Sequence, residues 1–176
     1  METLKTINNR KSVRSYTGVL KDEDLKTVLL AGQEAPIAMG KYETMHMTVI
    51  RDAALLEEID RNAAAFFGDP ERRPLYGAPC FIVISTAVPN SPQCNIAYSN
   101  AAIMAESMTL AATDLKLGSC CIWGAIAALG TNPELTAKLN LPEGHSACCG
   151  LVLGETNETI GDRDISADRI SVSYIG

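Results

Sequence analysis

The stretch from Gln93 to Leu117 constrains this chain more than any other feature. It is rich in alanine, and it places apolar side chains around most of a helical circumference. A helix of that kind has to be covered on several sides. Asn100, Glu106, Asp114 and Lys116 interrupt it, so it does not read as a membrane span. The chain has 176 residues, 47% of them apolar and 20% charged. That is enough to bury such a helix in one domain, 1–176, and it lacks the composition of a disordered chain.

The remaining elements follow from local signals. A short helix is expected over Thr3–Asn9 and a second from an N-cap at Asp22, with Leu25, Val28, Leu29 and Gly32 on one face. Pro36 to Thr44 reads as a loop and His46 to Ile50 as a strand. Asp52 should cap a third helix that buries Leu55, Leu56, Ile59, Ala63 and Phe66 and stops at Gly68. A proline-rich loop, Asp69 to Pro79, leads to a central strand from Cys80 to Thr86. Lys116 and Gly118 are stop signals for the long helix, Gly118 taking the position just past its end. Ser119 to Ile122 then reads as a strand, Asn132-Pro133 as the start of a helix to Leu139, and Ala147 to Leu153 as a second central strand. The alternation Ile170-Ser171-Val172-Ser173-Tyr174-Ile175 predicts a last strand with one buried face. The sum is an α+β domain with helices around a modest sheet and terminal arms that could pack on a partner.

Charge is distributed unevenly. The net charge is −6, which disfavours a nucleic-acid surface. Residues 1–21 nevertheless hold Lys5, Arg10, Lys11, Arg14 and Lys21 against Glu2 alone, a local +4. A cluster of this size suits a small anion. The first residues are charged throughout, with no apolar export segment, so a cytoplasmic protein is expected, with its six cysteines as thiols.

Arg10, Lys11, Ser12 and Arg14 fall within five residues, and such side chains can surround a terminal phosphate; a solvated basic surface is the simpler alternative. Cys121-Ile122-Trp123-Gly124 follows the long helix, with glycines on both sides of the strand that allow a flat ligand close to the backbone. A plain helix end followed by a buried strand reads equally well. Cys120-Cys121 and Cys148-Cys149 lack metal-site spacing and read as small core residues on opposite faces of strands. His46 and His145 lie in unrelated sequence contexts, with no Ser or Cys arranged as a triad, and no P-loop or dinucleotide glycine turn is present. No metal site and no catalytic acid or base is assigned.

Several segments in this order resemble the flavin-dependent nitroreductase family. They are Ile7-Asn8-Asn9-Arg10-Lys11-Ser12-Val13-Arg14, Gly77-Ala78-Pro79, Asn100 to Ala105, Leu117-Gly118-Ser119-Cys120, and Leu141-Pro142-Glu143-Gly144 before a strand ending at Gly154. The resemblance implies an α+β nitroreductase-like fold, a mixed central sheet surrounded by helices, and an intertwined homodimer with one FMN per interface. By motif position Arg10, Lys11, Ser12 and Arg14 would hold the phosphate and ribityl end, joined by Arg163, with Arg169 as second choice. Cys121, Ile122, Trp123 and Gly124 would lie beside the isoalloxazine. Relatives often carry Pro-Ser-Ala, then Asn and a Gln-Pro-Trp group, where this chain has Pro36-Ile37-Ala38-Met39-Gly40-Lys41-Tyr42-Glu43-Thr44. By resemblance, Pro36, Ile37, Ala38 and Met39 would reach the partner protomer's flavin. The implied activity is hydride transfer from NADH or NADPH through FMN to a small electron-poor acceptor such as a nitroaromatic or quinone. A flavin-binding sensor or storage protein, and a flavin-free thiol redox protein using Cys120 and Cys121, are the competing readings; neither a nucleic acid nor a membrane partner is implied.

Overall fold

The structure, a computed structural model, describes residues 2–89, 91, 93–166 and 168–176. Its centre is a four-stranded sheet of β1 (Met45–Ile50), β2 (Cys80–Ala87), β3 (Gly118–Ile122) and β4 (His145–Gly154), in the order β1-β2-β4-β3. All three pairings are antiparallel, so the expected mixed sheet is corrected within one chain.

Alternation along the strands sends two sets of side chains to two cores. Cys80, Ile82, Ile84, Leu151 and Leu153 pack against α2 (Asp22–Gln33) and α4 (Cys94–Asp114). Phe81, Val83, Cys120, Ile122 and Val152 face α3 (Ala53–Phe67), α5 (Gly124–Leu129) and α6 (Pro133–Ala137). Helix α4 touches β2, β3 and β4 on one side and α2 on another, with α1 (Thr3–Asn9) also against it. Its all-round apolarity is thereby explained: Ala101, Met104, Ala105, Met108 and Ala112 are buried. Among the described residues no helix is long and apolar enough to cross a membrane.

Local signals located several ends correctly. Asp52 accepts from the Leu55 N–H at 2.8 Å and Gly68 closes α3 at φ 65°. Asn132 accepts from the Leu135 N–H at 3.1 Å at the start of α6, which ends at Ala137 rather than Leu139. Other expectations are corrected. Asp22 is the first helical residue rather than the cap, because its carboxylate is turned to the Arg51 guanidinium at 2.5 Å. Phe66 is exposed, and Asp60 and Ala64 are buried instead, the Asp60 carboxylate accepting from the Leu75 N–H.

After α4 it is Lys116, at φ 62°, that takes the left-handed position, and Gly118 opens β3. That glycine is needed for closeness: a Cβ there would stand 2.8 Å from Val13 Cγ1. The tail 170–175 forms no strand and has no buried face. Ile170, Val172, Tyr174 and Ile175 are all exposed, because none of the described residues covers them.

Candidate functional site

The segment after α1 runs along the outer side of β3. Val13 donates its N–H to the Ser119 carbonyl at 2.9 Å and buries its side chain, and Thr17 and Glu155 extend the contact toward the end of β4. Alternation then directs Ser12 and Arg14 away from the Val13 side. The Ser12 hydroxyl meets the Cys120 sulfur, whose thiol burial holds above its ordinary range. The Arg14 guanidinium lies 5.8 Å from the centre of the Tyr76 ring and hydrogen-bonds that side chain.

A second strut comes from the tail. The Glu158 carboxylate accepts from the Arg14 N–H at 2.9 Å and pairs with Lys11 Nζ at 2.8 Å. Lys11 and that N–H together hold the carboxyl below its usual range. The Lys11 charge is therefore engaged by Glu158, and Lys11 is more a strut than a free anion ligand.

Arg10 and Arg163 converge at the end of α1. Arg163 donates from Nη2 to the Ile7 carbonyl at 3.2 Å and from Nε to the Asn8 carbonyl, while the Asn8 side chain grips the Arg163 backbone at 2.8 and 3.0 Å. A cation is favoured there, where the last carbonyls of a helix point. Burial, and then the nearby charges of Arg10 and Arg169, hold Arg163 below the ordinary guanidinium value. Three guanidinia thus share one region, and Glu106 on α4 faces Arg10 at 3.7 Å.

Beyond β3 the chain turns at Trp123, which is 72% exposed, into α5. Cys121, Ile122, Trp123 and Gly124 line a shallow hollow of about 140 Å³ with Arg72, Arg73, Pro74 and Tyr76. Arg72 is placed by stacking 3.9 Å over the Phe67 ring, and that ring also sits beside Gly124. Arg72, Arg73 and Tyr76 were not anticipated. They sit in a proline-rich loop whose shape is set by tertiary contacts, and the signal available was two arginines beside prolines.

Pro36, Ile37, Ala38 and Met39 lie elsewhere. They begin a pair of short 3-10 turns in which Met39 adopts φ 59° and is exposed. Ala38 donates its N–H to Asn100 Oδ1 at 3.2 Å. Pro36, Ile37 and Ala38 line a hollow of about 390 Å³ with Asn95, Ile96, Ser99, Asn100 and Ile103. Asn100 and Glu106 are six residues apart on α4, about 9 Å along its axis and about 120° around it. The candidates therefore form two groups on one chain: residues 10–14, 121–124 and 163 on one side of α4, and 36–39 on another.

Two further readings are corrected. His46 and His145 come together, their rings edge to face at 6.4 Å, and Ser85 Oγ lies 3.3 Å from His145 Nδ1. Burial and His46 hold the His145 imidazole below its ordinary value, but Ser85 is fully buried and offers no exposed nucleophile. Cys120 and Cys121 do not form a pair: Cys120 belongs to the α3/α5 core and Cys121 is exposed on the opposite face. Of the four cysteines expected in the core, Cys120 is buried, Cys148 and Cys149 are half-buried and Cys121 is exposed; elsewhere Cys80 is buried, its thiol pushed up to about 12 by burial, and Cys94 is half-buried. Among the described residues no three His, Cys, Asp or Glu side chains gather as a metal site requires.

The sequence of residues 7–155 matches the model of the Nitroreductase family. Among solved structures the fold is similar to a nitroreductase with bound FMN from Desulfitobacterium hafniense DCB-2. The identity is 26%, with 99% of each chain covered and a TM-score of 0.85. A nitroreductase with bound FMN from Bacteroides fragilis NCTC 9343 is 29% identical, covering 99% of this chain and 100% of its own, at a TM-score of 0.80. An FMN-dependent nitroreductase from Clostridium difficile R20291 shares the fold at 24% identity, with 98% and 99% covered and a TM-score of 0.79. No curated protein sequence matches.

Proposed function

Because this chain belongs to the nitroreductase family, we propose that it is an FMN-dependent oxidoreductase that takes hydride from NADH or NADPH and delivers it to a small electron-poor acceptor, a nitroaromatic or a quinone. One observation carries the reading: Arg163 is held on the Ile7 and Asn8 carbonyls at the end of α1, where burial first and then the nearby charges of Arg10 and Arg169 disfavour its own charge. A phosphate dianion relieves that repulsion, so the residues present fit the phosphate of FMN. The bound FMN of two similar structures supports the same choice of ligand.

Hydride exchange between a nicotinamide donor and the acceptor is the chemistry a bound isoalloxazine supplies. The chain's own part is to bind, orient and shield. Arg10 and Arg163 would hold the phosphate and Ser12 and Arg14 the ribityl side, while Lys11 braces the turn through Glu158. Main-chain groups of Cys121 to Gly124 would receive the ring, and Trp123 offers a flat apolar surface at the mouth. Arg72 and Arg73 keep that mouth positively charged. No side chain is given a proton-transfer role.

The site calls for a second copy of the chain. Pro36, Ile37, Ala38 and Met39 lie away from the arginines of their own protomer, and the tail exposes Ile170, Val172, Tyr174 and Ile175. A homodimer in which each tail packs on the other protomer covers these apolar groups and brings the 36–39 loop of one chain to the flavin of the other.

The test is anaerobic reduction of the FMN-loaded protein. Bleaching of the flavin band by NADH or NADPH, and its return on adding a quinone or nitroaromatic, is expected. Failure to bleach with either donor overturns the enzymatic reading and leaves flavin storage.

A further inference from the structure

The cysteines pair across the sheet, not along the sequence. Cys121 on β3 stands opposite Leu151 on β4, so Cys149, two residues before Leu151, is its diagonal neighbour on the same face. The two thiols face one another closely enough to couple, which holds Cys121 above its ordinary range and Cys149 below it, and Cys149 Sγ also lies 3.8 Å from the Gly150 carbonyl. Arg10 and Glu106 flank Cys121, and Cys148 lies beside Cys149. Cys121 is exposed and Cys149 half-buried.

We propose that Cys121 and Cys149 form a peroxide-sensitive dithiol, with Cys149 the attacking thiolate and Cys121 the resolving thiol. That coupling favours the thiolate on Cys149 and keeps the proton on Cys121. A nucleophilic thiolate with a resolving cysteine in contact is the arrangement that lets sulfur be oxidised selectively and reversibly.

The chemistry balances with hydrogen peroxide as oxidant. The Cys149 sulfur attacks one peroxide oxygen: an S–O bond forms, the O–O bond breaks, and the hydroxide released takes up the proton that Cys149 gave to solvent. Cys121 sulfur then displaces the hydroxyl of the sulfenic acid, which leaves with the Cys121 proton as a second water. The pair loses two electrons and two protons, the peroxide becomes two waters, and a thiol reductant restores the dithiol.

The sheet is built to allow the closure. Diagonal Cα atoms stand about 7–8 Å apart, slightly beyond the usual disulfide span. The ladder shifts register between Ile84 and Ser85, which pair with Cys149 and Ala147, so Cys148 is an extra, unpaired residue beside the reacting one. A bulge of this kind strengthens the local twist and lets the strand adjust. Nothing in the inference requires bound flavin.

The experiment treats the full-length protein, as purified, with hydrogen peroxide and maps the thiols by alkylation and mass spectrometry. Cys148, half-buried like Cys149, is the internal control. The Cys149 thiol is expected to disappear at least about tenfold faster than that of Cys148, since thiolate content sets the rate. Peptides containing Cys121 and Cys149 should become linked and separate again with dithiothreitol. Cys121→Ser should accumulate a Cys149 sulfenic acid that dimedone captures. Equal rates at Cys149 and Cys148, a bond within Cys120-Cys121 or Cys148-Cys149 instead, or a sulfenic acid on Cys121 in Cys149→Ser would each overturn the assignment.

Discussion

Segment 10–16 and the loop 36–44 both carry proposed flavin contacts, but different physics holds them. The first is tied by the Val13 N–H to the Ser119 carbonyl, by the Arg14 N–H to the Glu158 carboxylate, and by the interlocked Asn8 and Arg163. The second has one side-chain anchor to a helix, Asn100 to the Ala38 N–H, and a non-glycine residue at positive φ. The first concentrates positive charge; the second offers backbone and apolar surface. Removing a ligand contact from the first should therefore cost binding directly. Changes in the second should act through loop shape.

The largest effect is expected at the arginines. Arg10→Ala or Arg163→Ala should weaken FMN binding by about 1.5–3 kcal/mol through loss of a charge-assisted contact to phosphate. Flavin fluorescence titration measures it, and unchanged affinity in both variants would make the basic turn mere surface. Gly118→Ala attacks the scaffold of the same region, since its new Cβ meets Val13 Cγ1 at 2.8 Å. A loss of about 1–3 kcal/mol in stability is expected by denaturant unfolding. Wild-type stability in that variant would mean that Val13 does not fix the turn.

Asn100→Ala should cost less, about 0.5–1.5 kcal/mol of stability, because it removes one hydrogen bond at the 36–39 loop. Its effect on FMN affinity should be smaller than that of Arg10→Ala; the reverse order would invert the contrast between the two regions. The smallest effect concerns acid. Glu158 is held below its ordinary value by Lys11 and the Arg14 N–H. The unfolded chain therefore binds the extra proton first as pH falls below about 4.3, and the contribution is lost as pH drops through the lower folded value. The protection factor of the Arg14 amide, its exchange rate corrected for the intrinsic dependence on pH, should fall in that window and stay constant between pH 6 and 8. Protection unchanged down to pH 3 would remove Glu158 as a strut.

What was legible in the sequence was local. The caps at Asp52, Gly68 and Asn132 depend on neighbours within four residues, and α1 has the bounds Thr3–Asn9 expected of it. The all-round apolarity of α4 announced its burial because periodicity is also local. Charge was legible too, since Arg10, Ser12 and Arg14 are close in sequence as well as in space. Cross-strand register was not: it joins Cys121 to Cys149 and His46 to His145, pairs that no spacing reveals. Gly118 looked like a helix stop because glycine serves two ends equally well, and only the Val13 contact shows which. The alternating tail read as a strand because alternation records a buried face without saying whose surface buries it.

The central claim is that the arginine cluster holds a phosphate while residues 121–124 receive the ring. Comparing FMN with riboflavin, which differs by that phosphate alone, tests it most directly. Equilibrium titration should show FMN bound at least about tenfold more tightly than riboflavin, as a charge-assisted contact of 1.5 kcal/mol or more requires. The difference should shrink toward nothing in Arg10→Ala. Equal affinity of the wild-type protein for the two flavins, or a difference that survives Arg10→Ala and Arg163→Ala, would contradict the account.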